Sequence, residues 1–171
     1  MVAKGNERRA ETSVELKDDR AVVIERTFRA PARLVFEAWT KPELVRRWWA
    51  PKSMGAEIVD CQADVRVGGK FRYVTRAGAD EFAFSGTYSE VTPPSKLVYT
   101  MFFEPMMNAG ATVVTVTFED RGASTHVVSY EVYPSVEARQ AAIASGMEEG
   151  LRVTYDQLDD LVAARFAGEA T

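Results

Sequence analysis

The C-terminal part of the chain predicts one long amphipathic helix, and a helix of this kind must lie on an apolar surface. From Ser145 onward, apolar residues recur every three or four positions, the spacing that lines one face of an α-helix. Acidic residues occupy the opposite face. A helix of about five turns therefore needs a partner surface, and the only large one that the remaining sequence can supply is a β-sheet. The apolar positions are Met147, Leu151, Thr154, Leu158 and Leu161.

The sheet is predicted from a run of β-branched and aromatic segments separated by turn residues. Strands joined by short turns form an antiparallel meander. Pro31 and Pro42 mark the beginnings of two short helices after the first strand. The predicted fold class is α+β, with a curved antiparallel sheet of six to seven strands around the C-terminal helix. The strands are expected at Ala21 to Phe28, Ala56 to Asp64, Lys70 to Arg76, Glu81 to Val91, Lys96 to Phe103, Thr112 to Glu119 and Ser124 to Tyr133.

Length and composition limit the organisation of the chain. A length of 171 residues suits one domain, which we expect over residues 21–166. Residues 1–20 are charge-dense with little apolar periodicity, so they predict a flexible leader, and 167–171 predict a short tail. Residues 1–9 lack the apolar stretch of a signal peptide, and no run reaches the roughly 18 apolar residues of a membrane span. With Cys61 as the only cysteine, these features favour a cytoplasmic protein.

The charge pattern argues against nucleic acid and predicts an internal attraction. The net charge of −4 is unfavourable for nucleic-acid binding. Basic residues are concentrated between Arg29 and Lys52, whereas acidic residues dominate from Ser135 to the C-terminus. The two regions are expected to attract each other, the alternative being a basic docking patch.

Large side chains on the predicted inner face leave two interpretations of the space between sheet and helix. Tyrosine and methionine among phenylalanine are typical of an adaptable apolar pocket with a few polar groups. The alternative is a filled core, which would leave only a docking role for the protein. Trp48 and Trp49 cannot both face inward on one helix, so one is expected to anchor the short helices and the other to line the cavity mouth or a partner surface. The loop at 103–108 carries apolar side chains suited to a lid or a dimer contact.

Few residues in this sequence suggest catalysis. His126 is the only histidine and lies in a predicted strand, where a hydrogen-bonded or surface role is favoured. Cys61 has no C-x-x-C partner, so neither a metal nor a cofactor is predicted. Glu131 depends on the strand face. The more apolar alternation of His126, Val128 and Tyr130 favours a solvent-facing Glu131, whereas the opposite face would make it a buried carboxylate and a general-base candidate.

Several short motifs together resemble one known family. The chain is similar to the bacterial group that resembles the C-terminal domain of the activator of the heat-shock protein 90 ATPase, in the START-like (SRPBCC) superfamily with the helix-grip fold. Many relatives carry tryptophan after the glycine of the C-terminal helix, where this chain has Leu151. The motifs, in order, are 28–31, 35–40 with Pro42, 48–51, Asp64 with Gly68-Gly69, Gly86, Pro93-Pro94 with Leu97, and 145–150 with 155–158.

The resemblance implies a hydrophobic cavity between the sheet and the C-terminal helix. We expect a small hydrophobic or aromatic ligand there, without an assigned reaction. One alternative is a cyclase, dehydratase or hydrolase acting on an aromatic or polyketide-like compound, with Glu131 and a tyrosine as the polar pair. Another is an interaction module, in which Trp48, Trp49 and Met106-Met107 contact a chaperone or a second copy of the chain. The expected lining is Phe71, Tyr73, Phe84, Tyr99, Met101, Met147, Leu151 and Tyr155, with Trp49 and Met54 near the entrance.

Overall fold

The computed structural model describes residues 9–170 and has the predicted α+β architecture. One antiparallel sheet curves around a long C-terminal helix, as in the helix-grip fold. The strands are β1 (Ser13–Lys17), β2 (Ala21–Phe28), β3 (Ala56–Ala63), β4 (Lys70–Ala77), β5 (Asp80–Thr92), β6 (Lys96–Phe103), β7 (Thr112–Asp120) and β8 (Thr125–Val132). The helices are α1 (Ala32–Thr40), α2 (Pro42–Val45), α3 (Val136–Ala144) and α4 (Met147–Glu169), with 3₁₀ turns at Lys52–Met54 and Glu104–Ala109.

The sheet has eight strands in the order β1-β2-β8-β7-β6-β5-β4-β3. This is one strand more than the upper end of the prediction, because β1 pairs along β2 from Ser13 opposite Glu25 to Lys17 opposite Ala21. The prediction of a flexible leader over residues 1–20 is therefore wrong for residues 13–17, and residues 1–8 lie outside the described residues. β2 then pairs with β8, so the first long strand closes next to the last one.

Helix α4 is longer than predicted and is buried unequally along its length. It extends to Glu169, into the segment for which a tail was expected. Gly146, with φ +83°, separates α4 from α3 in a left-handed conformation that favours glycine. Leu158 and Val162, in the C-terminal half, are fully buried, whereas Met147 and Leu151 near the N-terminus are only half-buried.

The short helices α1 and α2 are anchored to the core by tryptophan. Trp48 is 3% exposed and its indole N–H donates to the Ala38 carbonyl at 2.8 Å. Its ring lies 4.9 Å from the ring of Trp39 on α1. Trp48 is therefore the expected anchor of the helix pair. Trp49 is left for the second expected role, which is to line the cavity mouth or a partner surface.

The predicted attraction between the basic N-terminal region and the acidic C-terminal helix is confirmed. Arg29 donates its backbone N–H to Asp159 at 3.0 Å and its side chain at 2.9 Å. Arg33 pairs with Glu169 at the end of α4. The buried Arg26 of β2 adds contacts to Asp156 at 2.6 Å and to Asp159 at 3.4 Å. These ion pairs hold the C-terminal half of α4 against the start of the chain.

Gly86 allows the aromatic wall of the interior to lie close to the sheet. A Cβ atom at this position would come within 1.7 Å of the Thr100 carbonyl oxygen and 2.7 Å of the Phe71 ring. Because only glycine fits, the Phe71 ring can pack directly over the backbone of β5. No helix in the described part of the chain is long and apolar enough to cross a membrane.

Candidate functional site

Glu131 lies on the inner face of the sheet, which corrects the favoured sequence interpretation. Thr125, Val127 and Ser129 are the buried residues of β8, so the alternation places Glu131 on the same, inward face. His126 lies on the opposite face, where its ring nitrogens contact Glu25 and Thr27 at 3.1 Å each. The sequence favoured the opposite assignment because Val128, Tyr130 and Val132 are apolar. In the structure these three side chains are half-buried on the outer face of β8.

Glu131 differs from the fully buried Asp159, which is paired with two arginines, because it is part-buried and pairs with no basic side chain in residues 9–170. Burial raises the pKa of Glu131 from 4.5 to about 7, although hydrogen bonds from Tyr133 and Ser129 act in the opposite direction. Within residues 9–170, no Lys or Arg side chain forms an ion pair with it. Near neutral pH this side chain can therefore donate or accept a proton, or bind a charged group.

Tyrosine hydroxyls surround this carboxylate. The strand register places Glu131 opposite Val114 of β7, which in turn lies opposite Tyr99 of β6. Burial, followed by the nearby Glu131 charge, raises the pKa of Tyr99 and of Tyr155 on α4. The Tyr133 hydroxyl donates to the Met147 sulfur at 3.4 Å, and the pKa of Tyr133 is raised by burial and by the nearby Glu131. Met147 thus lies at the edge of the polar group formed by Glu131 and these three tyrosines.

The hollow that the sequence predicts next to this group is nearly filled. Its volume is about 10 Å³, which is about the space needed for one water molecule. The space closes because the rings on the inner face pack edge-on against one another. The ring centroids of Phe71 and Tyr99 are 5.4 Å apart, and those of Trp49 and Tyr73 are 5.2 Å apart. Its lining consists of Trp39, Trp49, Phe71, Tyr73, Tyr88, Leu97, Tyr99 and Met101.

Five of the ten predicted site residues line this small cavity, and the other five are not part of its lining. The five are Trp49, Phe71, Tyr73, Tyr99 and Met101. Phe84 packs on Trp49 with ring centroids 4.8 Å apart. Tyr155 is buried, Met147 and Leu151 are half-buried on α4, and Met54 is half-exposed.

Residue patterns did not indicate several of the neighbours in this region. Trp39 and Leu97 line the cavity although neither was among the predicted lining residues. Tyr88 lies opposite Tyr99, and burial raises its pKa to about 12. Tyr133 follows β8 and could have been found from its spacing of two residues from Glu131, since alternate residues share a face.

The remaining candidates lie outside this region or have structural surroundings. Cys61 is buried opposite Tyr73, and burial raises its pKa to about 11, so it is a poor nucleophile. No three His, Cys, Asp or Glu side chains in residues 9–170 come together as a metal-binding group. Met106 and Met107, on the loop after β6, are about half-exposed.

Comparison with known proteins identifies the family. The family model described as "Activator of Hsp90 ATPase homolog 1-like protein" matches residues 29–163. The chain belongs to this family. The START-like relationship indicated by the motifs is therefore confirmed, whereas the comparison with curated proteins finds no match.

Solved bacterial structures share the fold over almost their whole length. A Rhodobacter sphaeroides protein, 24% identical, has a TM-score of 0.82 over 90% of this chain and 99% of its own. A Staphylococcus epidermidis protein, 28% identical, has a TM-score of 0.75 over 90% of this chain and 94% of its own. An AHSA1-like protein of Aeromonas hydrophila, 25% identical, has a TM-score of 0.62 over 80% of this chain and 92% of its own.

Proposed function

We propose that this protein binds a small aromatic or otherwise apolar molecule with a polar end, between the sheet and the N-terminal half of α4. The observation that carries the proposal is Glu131, a part-buried carboxylate on the inner face of the sheet that has no basic partner in the described part of the chain. A core that only stabilises the fold does not need such a group, because burying a charge costs free energy unless it is paired. Perturbed carboxylates among apolar residues are typical of ligand sites.

The interior as it stands matches the filled-core alternative of the sequence analysis, so ligand binding requires side chains to move and to enlarge a cavity that now has room for about one water molecule. The side chains at this end of the protein are suited to move. Met101, Met147 and Leu151 are half-buried, and methionine has three rotatable bonds and adapts to different shapes. Withdrawal of Met147 would also leave the Tyr133 hydroxyl free to donate to Glu131 or to a ligand. The bound apolar surface would contribute about 25 cal/mol per Å² removed from water.

The test uses methyl NMR of the full chain during titration with neutral aromatic alcohols, from 2-phenylethanol to 2-(2-naphthyl)ethanol. The methionine methyl groups report on separate places: Met101 and Met147 on the interior, and Met106 and Met107 on the exposed loop. We expect saturable shifts at Met101 and Met147 only. Shifts confined to the loop, or no shifts with any of these alcohols, would contradict an interior binding site.

A size-changing variant adds a second check on the same site. Leu151→Trp places a larger ring on the half-buried face of α4, so binding of the alcohols should weaken by about tenfold or more while the fold survives. Val67→Trp is the matched control, because Val67 is 67% exposed and lies between β3 and β4. Equal affinities of the two variants would remove Leu151 from the site.

An enzyme acting on the bound molecule is the second candidate, and the Glu131–Tyr133 contact favours it. A carboxyl group with a pKa of about 7 is suited to general acid–base chemistry near neutral pH. Chemical change of the ligand during the NMR titration, lost in Glu131→Gln, would distinguish an enzyme from a carrier. A chaperone contact, a homodimer and a cytoplasmic location remain predictions. Trp48 is buried, so Met106 and Met107 are the exposed residues for such contacts.

A further inference from the structure

The two inward acidic groups of this protein have different surroundings. Asp159, which is fully buried, contacts Arg26 at 3.4 Å and Arg29 at 2.9 Å. Among residues 9–170, no Lys or Arg side chain pairs with Glu131, and the polar groups that act on its pKa are the Tyr133 and Ser129 hydroxyls. Buried charges in proteins are normally paired. Within residues 9–170, the protein therefore supplies two cations to Asp159 and none to Glu131.

No neighbouring element brings a free charge to Glu131. On β2 its pairing partner is Val22, and Arg26 lies four residues farther along, about 13 Å of strand, where it already contacts Asp156 and Asp159. β7 contributes Val114, and β6 contributes Tyr99. The titratable groups near Glu131 are Tyr99, Tyr133 and Tyr155, whose pKa values are all raised, so they are neutral between pH 5 and 9.

The surrounding rings are suited to a cation. The strand register places Tyr99 on the same inner face as Glu131, across Val114, and the Glu131 charge contributes to the raised pKa values of Tyr99 and Tyr155. Aromatic faces attract ammonium groups, and this attraction grows when water is excluded. A carboxylate beside tyrosine rings therefore offers both an ion pair and ring contacts to an ammonium group.

We infer that the ligand of this site is an aromatic or apolar amine whose ammonium group lies against Glu131. The inference rests on the proposed binding function and specifies its substrate class. The amine supplies the positive charge that residues 9–170 do not provide at this position. The apolar part of the ligand lies towards the cavity lined by Tyr99 and Met101.

The experiment compares each aromatic alcohol with the amine of the same skeleton, for example 2-phenylethanol with 2-phenylethylamine. At pH 8, where Glu131 and the amine are both charged, the amine should bind the wild-type chain about tenfold more tightly, because hydrogen bonds to charged groups are the stronger ones. In Glu131→Gln, which keeps the shape of the side chain, the two probes should bind within about twofold of each other. Glu119→Gln changes an exposed acid paired with Arg121 and should leave the preference intact.

The outcomes separate this inference from the proposed function. If alcohols bind in the interior and amines bind no better, the amine assignment is overturned and the binding site stands. If amines are preferred equally by wild type and Glu131→Gln, the assignment to Glu131 is overturned. If neither probe series shifts Met101 or Met147, the proposed function and this inference both fail.

Discussion

The two halves of α4 perform different tasks in one helix. In the C-terminal half, Leu158, Leu161 and Val162 are buried, and Asp159 binds two arginines. In the N-terminal half, Met147 and Leu151 are half-buried, Met147 contacts Tyr133, and the nearby Glu131 has no basic partner among residues 9–170. The C-terminal half shows how this chain completes a core. The N-terminal half is packed less completely, and this contrast is the main reason for placing the ligand beside the N-terminal half.

The largest expected effect tests the ion pairs of the C-terminal half. Asp159→Ala leaves Arg26 buried with only the partly exposed Asp156 as its acidic partner, so the free energy of unfolding should fall by about 3–5 kcal/mol. Asp160→Ala is the matched control. Asp160 is half-exposed and pairs with Arg9 and Arg29, so its loss should cost less than about 1 kcal/mol. Urea denaturation measures the free energy of unfolding of both variants. Similar losses would mean that the buried ion pairs of Asp159 stabilise the protein no more than the exposed pairs of Asp160.

A pair of identical truncations compares the two halves directly. Leu158→Ala removes a fully buried side chain and should lower the free energy of unfolding by about 2–5 kcal/mol. Leu151→Ala, two turns earlier on the same face, removes a half-buried side chain and should cost about 1 kcal/mol. Equal costs in urea denaturation would mean that the N-terminal half is as firmly packed as the C-terminal half.

The smallest expected effect concerns pH. The pKa of Glu131 is raised in the folded protein, so the folded state holds its proton between about pH 4.5 and 7 while the unfolded state releases it. This group therefore lowers stability as pH rises through that window. Above pH 7, this group lowers the free energy of unfolding by at most about 3 kcal/mol. Glu131→Gln should be more stable than wild type at pH 8 and no more stable at pH 4. A constant difference between the two proteins from pH 4 to 8 would show that Glu131 does not titrate there.

The architecture was predictable because its signals are regular and repeated. Helical spacing in α4, turn residues between strands and the order of short motifs all indicated the same fold. β1 was missed because Ser13–Lys17 has few apolar residues and forms by pairing its backbone along β2 at the sheet edge, a kind of strand that propensity alone identifies poorly.

The candidate site was less predictable than the fold. Most of the expected aromatic residues do face the interior, since strand alternation determines this. The face of Glu131 was misjudged because both faces of β8 are covered to some extent, so the apolar alternation did not distinguish them. The size of the cavity depends on how the rings of Trp49, Phe71 and Tyr99 pack together, and residue order does not specify that packing.

The ion pairs around Asp159 also determine how α4 could move. A helix held at one position acts as a lever, and Met147 lies about 18 Å along the axis from Asp159. A tilt of about 5° around that point would displace the Met147 end by about 1.5 Å while residues near Asp159 hardly shift. Asp159 lies near the middle of α4, so the same rotation would also move the Glu169 end by about 1.3 Å in the opposite direction, and the gap at Glu131 would open at the expense of the Arg33–Glu169 ion pair.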